Sequence, residues 1–122
     1  MAITPAASSI GKSGEAYVTK VLQGRGYRIL DRNWRIREGE LDIVAENPNG
    51  VVVFVEVKSR TSVSFGDPLE GINSEKLLRI QRLALAWLAT NQRLGSIYQI
   101  DVAGVLVSRS GGFTLDYREQ IL

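Results

Sequence analysis

Residues 39–60 read GELDIVAENPNGVVVFVEVKSR and contain the most apolar run of the chain. Two apolar segments, 41–47 and 51–58, flank Pro48-Asn49-Gly50. Proline suits the second position of a type I turn and asparagine the third, while glycine supplies the left-handed residue that closes a three-residue hairpin loop. Such a loop fixes a register. With Asn47 opposite Val51, paired residue numbers sum to 98, which sets Asp42 opposite Glu56. Opposed residues of an antiparallel pair point to one face, and Lys58, two places beyond Glu56, joins that face. Residues 51–57 are apolar at both alternations, so this strand is expected at the centre of a sheet covered on both sides.

Upstream, Ser8 or Ser9 can cap a helix running to about Gln23, with Gly24 and Gly26 ending it. One helix turn relates Gly11, Gly14 or Glu15, Val18 and Leu22, so Glu15 shares a face with core residues. A carboxylate there is costly unless it reaches water at the stripe's edge, pairs with Lys12, or binds a cation. Residues 27–34 read as a first strand and 35–39 as a polar turn. Downstream, 61–68 has loop chemistry. Asn73 or Ser74 then opens a helix over 75–91, whose Leu77, Leu78, Ile80, Leu83, Ala84, Trp87 and Leu88 form a broad core face. Lys76, Arg79 and Arg82, spaced by three, form a basic edge that is either a solvated face or a phosphate contact. Two more strands follow at 97–107 and 113–117, around a turn at 108–112. The expected fold is α/β, a central mixed sheet flanked by two main helices, in a single domain spanning 1–122.

Composition narrows the chemistry. With 122 residues, no cysteine and no histidine, disulfides, thiolate nucleophiles, imidazole metal sites and histidine triads are excluded. Carboxylates, lysine, hydroxyls and water remain. The N-terminal residues lack a cationic start followed by an apolar stretch, and no apolar run approaches the roughly 18 residues of a membrane span. A soluble, cytoplasmic chain with no membrane partner is expected. The net charge of +2 is uneven: 1–37 carries +5, 38–75 carries −6 and 76–122 carries +3. That pattern suits either an ordinary solvated surface or a cation-binding centre within a surface that attracts phosphates.

Asp42 facing Glu56 is therefore the informative pair. Two opposed carboxylates repel, and they end a strand that is apolar on both faces. A Glu56–Lys58 ion pair at a strand end is one account, and a divalent cation is the better one. Hard oxygen ligands suit magnesium or manganese, and Asp42, Glu56 and the main-chain carbonyl of Val57 could hold the ion. Lys58 could then orient or help deprotonate a water for attack on phosphorus, with Glu15 completing the site.

Asp42 with Glu56-x-Lys58 resembles the PD-(D/E)xK motif of the restriction-endonuclease-like fold, and the helix acid Glu15 resembles the arrangement of archaeal Holliday junction resolvases. More closely, the spacing of Gly11, Gly14 and Glu15, RNWR at 32–35, GELDIVA at 39–45, FVEVKSR at 54–60, FGDP at 65–68, Lys76 and IDV at 100–102 resemble the YraN-like family of small bacterial proteins. The resemblance covers nearly the whole chain. It implies a restriction-endonuclease-like fold and a metal-dependent endonuclease acting on nucleic acid, DNA foremost and branched DNA included. The alternatives are a non-catalytic nucleic-acid-binding module of the same fold and a partner-binding protein whose acids close an ion-pair network. Catalytic roles fall on Glu15, Asp42, Glu56 and Lys58, metal ligation on Asp42, Glu56 and Val57, and nucleic-acid contact on Arg60, Lys76, Arg79 and Arg82. For Arg60 the competing reading is a salt bridge to Glu40 or Asp67, and Glu40, at a strand start, could itself reach the site. Asp101 reads as a cap or ion-pair partner. The family pattern departs at Gln99, where an arginine is usual, and around Ala16 and Val18. A homodimer would suit the cutting of two strands.

Overall fold

A computed structural model describes residues 7–61, 67 and 69–122. Helix α1 (Ala7–Gly24) leads into strands β1 (Arg28–Ile36), β2 (Gly39–Glu46) and β3 (Val52–Thr61). Helix α2 (Ser74–Thr90), β4 (Tyr98–Val107) and β5 (Phe113–Arg118) follow. The five strands form one sheet in chain order. Neighbours are antiparallel except β3 and β4, which run parallel. A parallel pair needs a crossover, and α2 lies in it.

The 48–50 loop forms as its residue types require. Gly50 adopts φ +81°, its N–H donates to the Asn47 carbonyl at 2.9 Å, and Asn47 N–H donates to the Val51 carbonyl at 2.9 Å. The register follows: Ile43 pairs with Val55, Val44 with Phe54, Ala45 with Val53 and Glu46 with Val52, each summing to 98. β3 lies at the middle of the sheet, and its residues 52–55 are buried on both faces. Val52 and Phe54 join a core under α2 with Ile80, Leu83, Trp87 and Leu88. Leu78, expected on that core face, is exposed instead, because the helical period turns it away from Ile80 and Leu83. Val53 and Val55 join a core under α1 with Val18, Leu22 and Ile43. Phe54 meets the Trp87 ring edge-on at 5.8 Å, and Trp87 Nε1 donates to Asp31 Oδ2 at 3.0 Å.

Several boundaries differ from expectation. Ala7 is already helical, so Ser8 and Ser9 lie inside α1 rather than capping it. The α1 end does fall at its glycines: Gly26 takes φ +85° and donates to the Gln23 carbonyl at 3.0 Å, while Tyr27 N–H reaches Leu22 at 3.0 Å. The turn between β1 and β2 is shorter than the polar stretch 35–39 suggests, because Arg35 and Ile36 continue the ladder against Glu40 and Gly39. β3 runs past Lys58 to Thr61, since parallel pairing with β4 continues through its polar residues. Asn73 caps α2, its Oδ1 accepting from Lys76 N–H at 2.9 Å. Most of the loop expected at 61–68, including three of the four FGDP positions, lies outside the described residues.

Candidate metal centre

The β2–β3 pairing stops at Ile43 and Val55, one step short of Asp42 and Glu56. Instead of a further ladder bond, the Asp42 carboxylate takes the main-chain N–H of Val57 at 2.8 Å. The two strands therefore part where the acids begin. N–H and C=O of one strand residue point to the same side, so the Val57 carbonyl is directed toward this opening as well. Glu56 and Lys58 alternate with Phe54 and thus face α2, whose first turn brings Lys76 Nζ to 3.8 Å from Glu56 Oε1.

Glu15 arrives from the other side. α1 lies close enough to β3 that a Cβ on Gly14 would stand 1.9 Å from Ser59 Oγ, so any larger residue would have to displace that side chain. This seating sets Glu15 beside β1 and β2. Glu15, Glu40 and Asp42 each offer an oxygen within 4.8 Å of the others, all from partly buried residues. The Arg32 guanidinium lies 4.0 Å from Glu15 Oε2. Asn33 faces two acceptors, and with its amide oriented so that nitrogen rather than oxygen meets them it donates to Glu15 Oε2 at 2.9 Å and to Glu40 Oε1 at 3.0 Å. Glu40 is also held by Arg35 Nε at 3.1 Å.

The electrostatics carry the mark of crowded acids. Burial first, then the Asp42 charge, pushes Glu15 from 4.5 up to about 7 against the opposing pull of Arg32. Burial and then Asp42 do the same for Glu56, also to about 7, although Lys76 and Lys58 favour its anion. Asp42 is raised by burial despite the Val57 N–H, and lies within hydrogen-bonding reach of both Glu15 and Glu56. The adjacent Lys76, and after it burial, pulls the Lys58 amine below the ordinary lysine range. Three carboxyl groups displaced toward their neutral forms are what acids without a sufficient counter-charge do.

The structure thus brings Glu15, Asp42, Glu56, Val57 and Lys58 together. Lys76 is part of this cluster. Arg79 and Arg82, from the same edge of α2, line a shallow groove with Ile36, Glu38, Leu83 and Ala86. Arg60 lies close enough for its charge to act on Lys58 and on Asp67, and Asp67 also pairs with Arg118 at 3.1 Å. Asp101 is fully buried and forms no ion pair among the described residues. It accepts from Tyr117 Oη at 2.6 Å, Gln120 N–H at 2.9 Å and Gln99 Nε2 at 3.0 Å, a network that ties the chain after β5 to β4. In this chain Gln99 serves that network.

Two contributors escaped the sequence reading: Asn33, and Glu40 as a firm member of the cluster. The signal was present. A two-residue turn at 37–38 makes paired numbers in β1 and β2 sum to 75, which sets Asn33 opposite Asp42.

Residues 14–105 match the model of the Uncharacterised protein family UPF0102. A UPF0102 protein of Mycobacterium sp. (strain KMS) is 46% identical over 103 residues, covering 84% of this chain and 76% of its own. One from Beutenbergia cavernae is 40% identical over 112 residues, covering 92% and 94%. Among solved structures, a repair endonuclease from Pyrococcus abyssi is similar over 88% of this chain and 40% of that one, with TM-score 0.44 and 17% identity.

Proposed function

The chain belongs to UPF0102, the YraN family, and from that footing we propose that it is a metal-dependent endonuclease of restriction-endonuclease-like fold. Its substrate is nucleic acid, DNA foremost and branched DNA included, and it works in the cytoplasm as a single domain, paired as a homodimer when two strands are cut. The observation that carries this reading is the opening between β2 and β3, where Asp42 sits within reach of both Glu15 and Glu56 and beside two lysines. Carboxylates from three elements converge there, and their raised proton affinities fit a site built for a divalent cation.

Asp42, Glu56 and the Val57 carbonyl would hold magnesium or manganese, with Glu15 closing the cluster. Bound there, the ion supplies positive charge that acidifies water and offsets charge developing on phosphorus. Lys58, kept in a cationic neighbourhood that weakens its hold on its proton, orients the attacking water. Lys76 holds Glu56 and presents a cation to a phosphate oxygen, while Arg60, Arg79 and Arg82 bind the flanking backbone.

A second reading has its own observation. The Lys76–Glu56 pair, with the Asn33 amide on Glu15 and Glu40, makes a polar network that could serve a non-catalytic binding module. The deciding experiment sets linear, flapped and four-way DNA against the protein with manganese or magnesium, beside Lys58→Ala. Metal-dependent cleavage that falls about 10²–10⁴-fold in Lys58→Ala is expected. Salt-sensitive binding without cleavage of any substrate would favour the binding module.

A further inference from the structure

We propose that Asn33 is a positioning residue of the acid cluster, a neutral double donor that holds Glu15 and Glu40 in register with Asp42. The inference rests on the metal-site reading above and names a residue that the reading does not use.

Three observations converge. The first is backbone conformation: Asn33 has φ +53° inside β1, the one residue of that strand with a positive φ. A non-glycine residue in this region is strained, and asparagine is among the few that tolerate it. The second is register. β1 and β2 pair through Arg32–Ile43 and Trp34–Leu41, and the intervening Asn33–Asp42 step is missing from the ladder. The left-handed residue thus sits directly across from Asp42. The third is what the distortion achieves. It sets one side-chain amide against two carboxylates from different elements, and the orientation that satisfies both points its nitrogen at Glu15 of α1, 2.9 Å away, and Glu40 of β2, 3.0 Å away.

The chemistry of an amide suits that task. Its two N–H donors bind one oxygen on each carboxylate, Glu15 Oε2 and Glu40 Oε1, while Arg35 takes Glu40 Oε2. Because it is neutral, it adds no charge to compete with a cation, as a lysine or arginine in that place would. Glycine would accept the backbone angle and aspartate would tolerate it, but glycine brings no donor and aspartate adds a further acid.

The test pairs a metal-free measurement with a metal titration. In the chelator-treated protein, the Asn33 side-chain amide protons should resonate downfield of an exposed asparagine, and one of them should move upfield in Glu40→Ala. Asn33→Gly, which keeps the backbone angle, should melt close to the parent without metal, yet bind manganese about 10–100-fold more weakly, as loss of an outer-shell partner does. Asn33→Ala serves as the backbone control, since it also lacks the amide but strains φ and so lowers the metal-free melting temperature. Amide protons at exposed-asparagine positions, or parental manganese affinity in Asn33→Gly, would overturn the proposal. If the parent binds no manganese while the amide shifts appear as expected, the metal-site reading fails and Asn33 stands only as an organiser of the apo cluster. That result also overturns its role in positioning for metal.

Discussion

At the scale of single residues, Glu56 shows how its neighbours compete. Lys76 at 3.8 Å and Lys58 two places along favour its anion, while burial and Asp42 oppose it more strongly, and the balance leaves its proton affinity raised to about 7. An ion pair that has not offset desolvation is costly to keep charged. Glu56→Gln should therefore stabilise the metal-free protein at pH 8, on the order of 1–3 kcal/mol, as a pKa difference of this size implies. At pH 4 the gain should vanish, because Glu56 is then protonated in both folded and unfolded chains. Urea melts of parent and variant at the two pH values check this. A loss of stability at pH 8 would mean the lysines outweigh burial. Glu56 and Lys58 were legible in the sequence because a turn with one preferred geometry fixed their face. Asn33 was not, since its role depends on a left-handed angle inside a strand, which residue type permits but does not announce.

At the scale of elements, the seating of α1 decides whether Glu15 belongs to the site at all. Helical spacing placed Gly14 and Glu15 beside Val18 and Leu22, but it could not say what Gly14 would face. The structure gives Ser59, whose Oγ is buried without a hydrogen-bond partner among the described residues and would lie 1.9 Å from a Cβ at position 14. Two opposing effects meet in Gly14→Ala: a helix-propensity gain of about 1 kcal/mol and an overpacking cost of about 1–3 kcal/mol. With the Ser59 Oγ and Cβ both inside contact distance, overpacking should win and the variant should be destabilised. Ser59→Ala alone should be neutral or stabilising, because it removes an unsatisfied buried hydroxyl. In the Ser59→Ala background the cost of Gly14→Ala should shrink, although the Ser59 Cβ remains 3.1 Å away. A double-mutant cycle by thermal melting measures that coupling, and additivity within error would show that the contact does not set the helix position. Lys76 illustrates the same limit. Its helix was read correctly, but its place beside Glu56 depends on how the segment between β3 and α2 returns the chain, which no local pattern specifies.

Across the whole molecule, the acid cluster sets a pH dependence whose sign separates a cation site from an ion-pair scaffold. Glu15 and Glu56 bind protons more tightly in the folded chain, at about 7 against an ordinary 4.5, and Asp42 is raised as well. Groups shifted in this direction contribute their full stability below the unfolded value and lose it as pH rises through the folded one. The metal-free protein should therefore melt at progressively lower temperature as pH increases from about 4.5 to about 7. Carboxylates shifted the other way, Glu46 beside Arg93 and Asp67 under the Leu69 N–H, act only at more acidic pH, so this window isolates the cluster. Manganese should reverse the trend: ligation needs the ionised carboxylates, so the melting-temperature gain should grow with pH over the same interval. Asp42→Asn keeps an oxygen to accept the Val57 N–H while removing the central charge. It should flatten the metal-free pH profile, match or exceed the parent's stability at pH 8, and abolish the manganese gain. A network that existed to pair acids with Lys58, Lys76 and Arg32 would behave oppositely. Its stability would rise as the carboxylates ionise, and losing Asp42 would cost roughly 3–5 kcal/mol with or without metal, because buried cations would be left uncompensated. Melting curves of parent and Asp42→Asn from pH 4.5 to 8, with chelator and with manganese, distinguish the two by the slope of the parent's chelator profile alone.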